Sequence, residues 1–287
     1  MDKVLVFVDL DGTLLSDDKT ISEENLRKIR EAYEEYGAQI VISTARPPII
    51  AEKYARQIGS ACTYVMCANG AVVKNVNTGE DIYNQSIPTD AIAKLVDFCT
   101  QNNLEYDVMT ERQRWLPEGY EWLKQLDGFP ENMEYVDNVG EYALDPDNKI
   151  LLFCVLGKKE ELLANEEGLN GIPGISVKGL SYYADGKGPY ISITAEGVDK
   201  GIAMQRIIED SGGTTTIAFG DGVNDIRMLG AANYGIAMRN GDPSVMDATG
   251  IVTINTNNAT GVGSALLTIL NYIKTKGWVS KARPEDR

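Results

Sequence analysis

The sequence predicts an α/β protein in two parts, a doubly wound, Rossmann-like parallel-sheet core interrupted by an inserted α+β cap. Three observations carry this expectation. Continuous apolar segments alternate with amphipathic helical patterns over the first third of the 287 residues, the mark of a parallel sheet covered on both faces. The same rhythm returns in the last third. Between them lies a stretch of shorter apolar runs and frequent turns, GFP, LDPDN, GIPG and ADGKGP among them, which reads as a separate module. The expected division is 1–84 and 193–287 for the core and 85–192 for the cap, in keeping with a chain too long for one ordinary domain.

The elements follow in order. VLVFV forms the first strand and runs directly into Asp9 and Asp11, with a sharp turn at Gly12. A helix from about Ser22 to Tyr36 opens with Thr20 and Glu23 in capping-box spacing and closes at Gly37. AQIVIS is the second strand, a helix begins at Pro47 and Pro48, and TYVMC is the third strand, ending in Ala68-Asn69-Gly70. In the insert, ILLFCVLG lies between helical stretches at Thr89–Gln101 and Lys158–Glu167 and reads as part of an antiparallel sheet. The core resumes with a helix from about Lys200 to Asp210, the strand TTIAF, the loop GDGVND and a short helix. The strand YGIAM, the helix PSVMDA, the strand IVTI and a closing helix in GSALLTILNYI complete it.

Composition narrows the function. Hydrophobic residues at 43% and charged residues at 24% are those of a soluble globular protein. No run approaches the roughly 20 apolar residues of a membrane helix, so no membrane partner is expected. The N-terminus enters a strand with no cleavage-type site behind it, and Cys62, Cys67, Cys99 and Cys154 form no CxxC pair. Together these predict a cytoplasmic protein with reduced thiols. A net charge of -15 argues against nucleic acid. A phosphate-bearing small molecule stays compatible, because a few cations and a metal reverse the field locally. There is no histidine, which removes Ser-His-Asp and Cys-His triads and histidine-ligated metals. Acid–base chemistry falls to carboxylates, Lys, Tyr, Cys or metal-bound water.

Four clusters sit where strands end or helices begin. Asp9 and Asp11 follow a buried strand, at the edge where α/β sheets bind ligands; a hard cation such as Mg²⁺ would relieve their repulsion. In IVISTAR, Thr44 offers a hydroxyl and the next residues offer backbone N–H groups, a usual way to hold a phosphate oxygen. Lys200 opens a helix. AFGDGVNDIRML ends another apolar strand in Asp221, with Asn224 and Asp225 on the following turn. Each has a bland reading alone: a polar turn, a strand-end hydroxyl, a solvated lysine. Jointly they make up what phosphoryl transfer with Mg²⁺ requires, a metal cage, a nucleophile and cations for the equatorial oxygens.

DLDGT, Thr44, Lys200 and GDGVND resemble the four motifs of the haloacid dehalogenase superfamily, and their spacing resembles its Cof-type sugar-phosphatase branch with a large cap between the second and third motifs. The likeness extends to ANG at 68–70 and YGIAM at 234–238. It implies Asp9 as the nucleophile that becomes an aspartyl-phosphate and Asp11 as general acid and base. It implies Mg²⁺ held by Asp9, the backbone carbonyl of Asp11, and Asp221, with Asp225 in support. Thr44, Lys200 and Asn224 would bind the phosphoryl group, with backbone help from Leu10 and Ala45. The chain departs from the family at Thr44-Ala45-Arg46, where Thr-Gly-Arg is common, and at Thr260, where an acid usually precedes Gly-Val.

The reaction so implied is hydrolysis of small phosphomonoesters, sugar phosphates or similar metabolites. A phosphosugar mutase and a non-catalytic binding or regulatory protein are the alternatives. The second carboxylate at Asp11 speaks against mere binding. Selectivity is expected in the cap, with Arg112, Arg114, Trp115, Tyr182, Tyr183 and Lys187 as candidates.

Overall fold

The computed structural model describes residues 3–123, 132–183, 188–213 and 215–276. β1 (Val4–Asp9) lies inside a sheet of order β13-β12-β1-β2-β3-β4-β5. Its other members are β2 (Ala38–Ser43), β3 (Cys62–Cys67), β4 (Val72–Asn75), β5 (Asp81–Asn84), β12 (Thr215–Gly220) and β13 (Tyr234–Ala237). β1 pairs in parallel with both β2 and β12, while β4 and β5 are antiparallel. The core sheet is therefore mixed, because short turns replace a crossover helix after β3. The expected strand IVTI contributes one bridge, Ala237 to Val252.

Alternation along β1 explains both faces. Val4, Val6 and Val8 pack under α1 (Glu23–Tyr36), α2 (Pro48–Ile58) and α9 (Gly261–Lys276). Leu5 and Phe7 face α6 (Lys200–Ser211), α7 (Ile226–Ala231) and α8 (Pro243–Thr249). All five strand residues are buried, so a residue at either parity must be apolar. The N-cap of α1 is Ser22, whose side chain accepts from Asn25 N–H, rather than Thr20 of the expected capping box. Thr20 instead donates its hydroxyl to Asp18.

A second sheet, of order β10-β11-β9-β6-β7-β8, forms the α+β cap. Its strands are β6 (Glu105–Met109), β7 (Arg114–Pro117), β8 (Met133–Val136), β9 (Leu152–Leu156), β10 (Ile175–Tyr182) and β11 (Pro189–Ala195). All its pairs are antiparallel except β7 with β8. β11 runs to Ala195, three residues past the expected end of the cap at 192. α3 (Thr89–Gln101) and, after the short α4 (Val139–Ala143), α5 (Lys159–Asn170) bury Ile92, Leu95, Leu162 and Leu169 against Val108, Phe153, Val155, Ile191 and Ile193 of this sheet. Among the described residues, no helix is long and apolar enough to cross a membrane.

Candidate active site

The first sheet reverses its direction of strand addition at β1: β2 and β3 lie to one side and β12 and β13 to the other. Ligands bind at such switch points, beyond the carboxyl ends of the strands. Asp9 ends β1, Ser43 ends β2 and Asp221 follows β12, so strand order alone brings together motifs that are far apart in sequence.

After β1 the loop turns at Gly12 in the left-handed region, φ 74°. A Cβ there would lie 2.3 Å from Asp221 Oδ2. Glycine is required twice, for its backbone and for the carboxylate beside it. Thr13 donates its hydroxyl to Asp221 Oδ1 at 2.9 Å, and Asn240 donates to the Gly12 carbonyl at 2.7 Å.

Lys200 is the centre of the cluster. Its ammonium donates to Asp9 Oδ1 and Asp225 Oδ1, both at 2.7 Å, and to the Ser43 carbonyl at 3.3 Å. The side chain is 1% exposed. Burial works to neutralise it, but Asp225 and Asp9 hold its pKa above the ordinary lysine value. Asp225 Oδ2 accepts from the N–H groups of Asp221 and Gly222 at 3.1 and 3.0 Å. Both Asp225 oxygens are thus taken up, which gives this residue a supporting place behind the carboxylates in front.

Carboxylate oxygens of Asp9, Asp221 and Asp225 lie within 4.8 Å of one another. Burial first, then the charges of Asp225 and Asp221, push Asp9 well above the usual carboxylate range despite Lys200. Asp221 is pushed up to about 7 by burial and by Asp225. Asp9 and Asp221 each keep one oxygen with no hydrogen-bond partner among the described residues. Hard, oxygen-only donors crowded against their own repulsion fit a small divalent cation such as Mg²⁺.

Asp11 is differently placed. Its carboxylate accepts from Arg46 Nε at 2.6 Å, from Arg46 Nη2 at 2.8 Å and from Lys19 Nζ at 2.8 Å. Burial opposes ionisation, but these two cations hold it well below the usual range. Thr44 is buried, and its hydroxyl accepts from Arg46 N–H at 3.1 Å. Leu10 follows Asp9 directly, and Ala45 lies two residues beyond Ser43, the register partner of Asp9. Asn224 donates to Asn69 Oδ1 at 3.0 Å.

The structure sorts the cap candidates. Asp107 is fully buried and receives both arms of Arg114, at 2.8 and 2.7 Å. Tyr183 donates to the same carboxylate at 3.2 Å and stacks on Tyr190 with centroids 4.4 Å apart. Burial raises the pKa of Tyr190. Trp115 instead packs on Tyr142, 5.0 Å between centroids, and serves the cap's interior. Tyr182 is exposed at the end of β10, and Arg112 is exposed in the turn after β6. Lys187 lies outside the described residues.

Arg46, Lys19, Thr13 and Asn240 were absent from the sequence-derived set. Arg46 stood two residues beyond Thr44 in the quoted motif and carried a charge worth following. Lys19 had no local signal.

A profile of haloacid dehalogenase-like hydrolases matches residues 6–266. The chain is 31% identical over 267 residues to the 5-amino-6-(5-phospho-D-ribitylamino)uracil phosphatase YitU of Bacillus subtilis, covering 91% of this chain and 96% of that protein. It is 26% identical over 271 residues to the pyridoxal phosphate phosphatase YbhA of Escherichia coli, covering 86% and 92%. Among solved structures, the HAD subclass IIB sugar phosphatase BT4131 superposes with TM-score 0.75 at 25% identity, over 93% of this chain and 98% of that one. A haloacid dehalogenase-like hydrolase from B. subtilis superposes with TM-score 0.78 at 24% identity, over 92% and 98%.

Proposed function

The chain belongs to the haloacid dehalogenase-like hydrolases, and on that premise we propose a Mg²⁺-dependent hydrolysis of small phosphomonoesters, sugar phosphates or similar metabolites, through an aspartyl-phosphate on Asp9. It is a Cof-type phosphatase; the metal, the intermediate and the residue roles are our reading. One observation carries it: Asp9 is buried at the switch point with one oxygen on Lys200 and the other without a hydrogen-bond partner among the described residues.

Asp9 attacks phosphorus with that oxygen while the P–O bond to the leaving group breaks. Arg46 and Lys19 hold Asp11 ionised in the free enzyme; the negative charge of the bound substrate competes for these two cations, and Asp11, released from them and protonated, gives its proton to the departing alkoxide. Its carboxylate then takes a proton from the water that attacks the aspartyl-phosphate, which releases inorganic phosphate and restores Asp9. Thr44, Asn224, Lys200 and the N–H groups of Leu10 and Ala45 hold the phosphoryl oxygens. Asp9, the Asp11 carbonyl and Asp221, with Asp225 behind them, would hold Mg²⁺, which when bound supplies positive charge against the repulsion between carboxylate and phosphate. The relatives named for a ribitylamino-uracil phosphate and for pyridoxal phosphate support a small phosphorylated metabolite as substrate.

Acid quenching during turnover of a ³²P-labelled ester should trap label on the peptide containing Asp9, and EDTA should abolish release of inorganic phosphate. Turnover with no labelled protein, or turnover undiminished by EDTA, would overturn this chemistry. An isomeric sugar phosphate in place of inorganic phosphate would identify a mutase instead.

A further inference from the structure

The active-site cleft has a second wall that the chemistry above leaves unused. A cavity of 490 Å³ is lined by Ser176 and Lys178 of β10 on the cap side and by Asn69, Lys200 and Asn224 on the core side. That volume suits a small metabolite. Lys200, which lines this cavity, is also the residue whose ammonium donates to Asp9 at 2.7 Å, so the cavity adjoins the reacting centre.

The charges around it balance except at one residue. Lys200 sits between Asp9 and Asp225. Arg227 pairs with Asp199, whose other oxygen accepts from Ile202 N–H at 2.8 Å. Lys178 donates to the carbonyl of Val198, and among the described residues no carboxylate lies within ion-pair distance of its ammonium. Burial depresses its pKa, with Arg227 adding to the effect and Asp199 opposing it. An ammonium half removed from water without a counter-ion is costly to keep charged. Beside it, Asn69 uses its carbonyl oxygen to accept from Asn224, which leaves its NH₂ group as a further donor at the cavity.

We propose that this cavity receives the leaving group, and that Lys178 selects phosphomonoesters whose leaving group carries a second anion, a carboxylate or a further phosphate. The inference rests on the phosphatase reading and names its substrate class. A bound anion supplies the missing counter-charge to Lys178, and the Asn69 amide donates a hydrogen bond to the same ligand.

The test compares matched pairs: 3-phosphoglycerate against glycerol 3-phosphate for the carboxylate, and glucose 1,6-bisphosphate against glucose 6-phosphate for the second phosphate. A hydrogen-bonded charge pair of this kind is worth roughly 10–100-fold in kcat/KM. The wild type should favour the anionic member of at least one pair by that factor, chiefly through KM, and the pair that shows it identifies the anion. Lys178→Met should bring the favoured pair to within about twofold and Lys178→Arg should retain the preference, with p-nitrophenyl phosphate hydrolysis unchanged in both variants. Equal kcat/KM within both wild-type pairs would overturn the inference and leave the phosphatase standing. So would a Met variant that loses p-nitrophenyl phosphate to the same degree, since Lys178 would then only tether β10 to Val198. A wild type that hydrolyses none of these esters would overturn the phosphatase reading and the selectivity with it.

Discussion

Lys200 and Asp9 are 191 residues apart in sequence, and their side chains meet at 2.7 Å in a buried ion pair. The same ammonium holds Asp225 at 2.7 Å, so one lysine separates two carboxylates that would otherwise repel at close range. Breaking a buried pair from one side costs about 3–5 kcal/mol, because an uncompensated charge is left behind. Lys200→Met should lower the unfolding free energy by that order in urea titrations without added metal. Its kcat should fall roughly 10²–10³-fold, the usual cost of one lost charge-stabilising donor. A variant as stable as wild type would show that Lys200 does not hold the cluster together.

Gly12→Ala tests the contact between the first and last motifs. A left-handed residue with a Cβ costs about 1–2 kcal/mol, and the added carbon would meet Asp221 Oδ2 at 2.3 Å. Displacing that carboxylate should raise the Mg²⁺ concentration needed for half-maximal activity and cut kcat by about 10²-fold. Circular dichroism should remain that of the wild type. Unchanged metal dependence would mean that Asp221 is not a ligand.

Asp11→Asn separates acid from base catalysis. An alkoxide leaving group needs a proton and p-nitrophenolate does not, so transfer from a sugar phosphate should slow by roughly 10²–10⁴-fold and transfer from p-nitrophenyl phosphate far less. Dephosphorylation still needs a base. The variant should therefore release a burst of p-nitrophenol near one per enzyme and then turn over slowly. Equal slowing of both substrates without a burst, with metal binding intact, would remove Asp11 from the acid–base role.

In the cap, Asp107 and Arg114 form a buried fork-to-carboxylate pair. Asp107→Leu strands a guanidinium and should cost about 3–5 kcal/mol, whereas the double variant Asp107→Leu with Arg114→Met should recover much of that loss. Additive losses in the melting curves would show that the two side chains are energetically independent.

Much of the site was legible before any coordinates. Asp9, Asp11, Asp221 and Asn224 sit where an apolar strand stops, and such a stop is visible in a run of residues. The two-part organisation followed from periodicity in the same way. Misreadings arose where two local signals competed. Thr20 and Glu23 had capping-box spacing, but Ser22, one residue before the helix, reached the Asn25 N–H instead. Trp115 looked like a recognition residue from its type, and register placed it on the cap's inner face.

What the sequence by itself determined is the chemistry available: carboxylates, a lysine and a hydroxyl at strand ends, no histidine, and glycine where the backbone must turn left-handed. Those follow from residue type and from spacing within one element. Only the tertiary structure decided which charges meet. That Lys200 spans Asp9 and Asp225, that Arg46 and Lys19 hold Asp11 ionised, and that Lys178 lines a cavity with no carboxylate at ion-pair distance among the described residues all depend on strand order and on how the cap sheet packs over the core. Electrostatic partnership falls off with distance in space and burial strengthens it, and neither quantity is written in sequence separation.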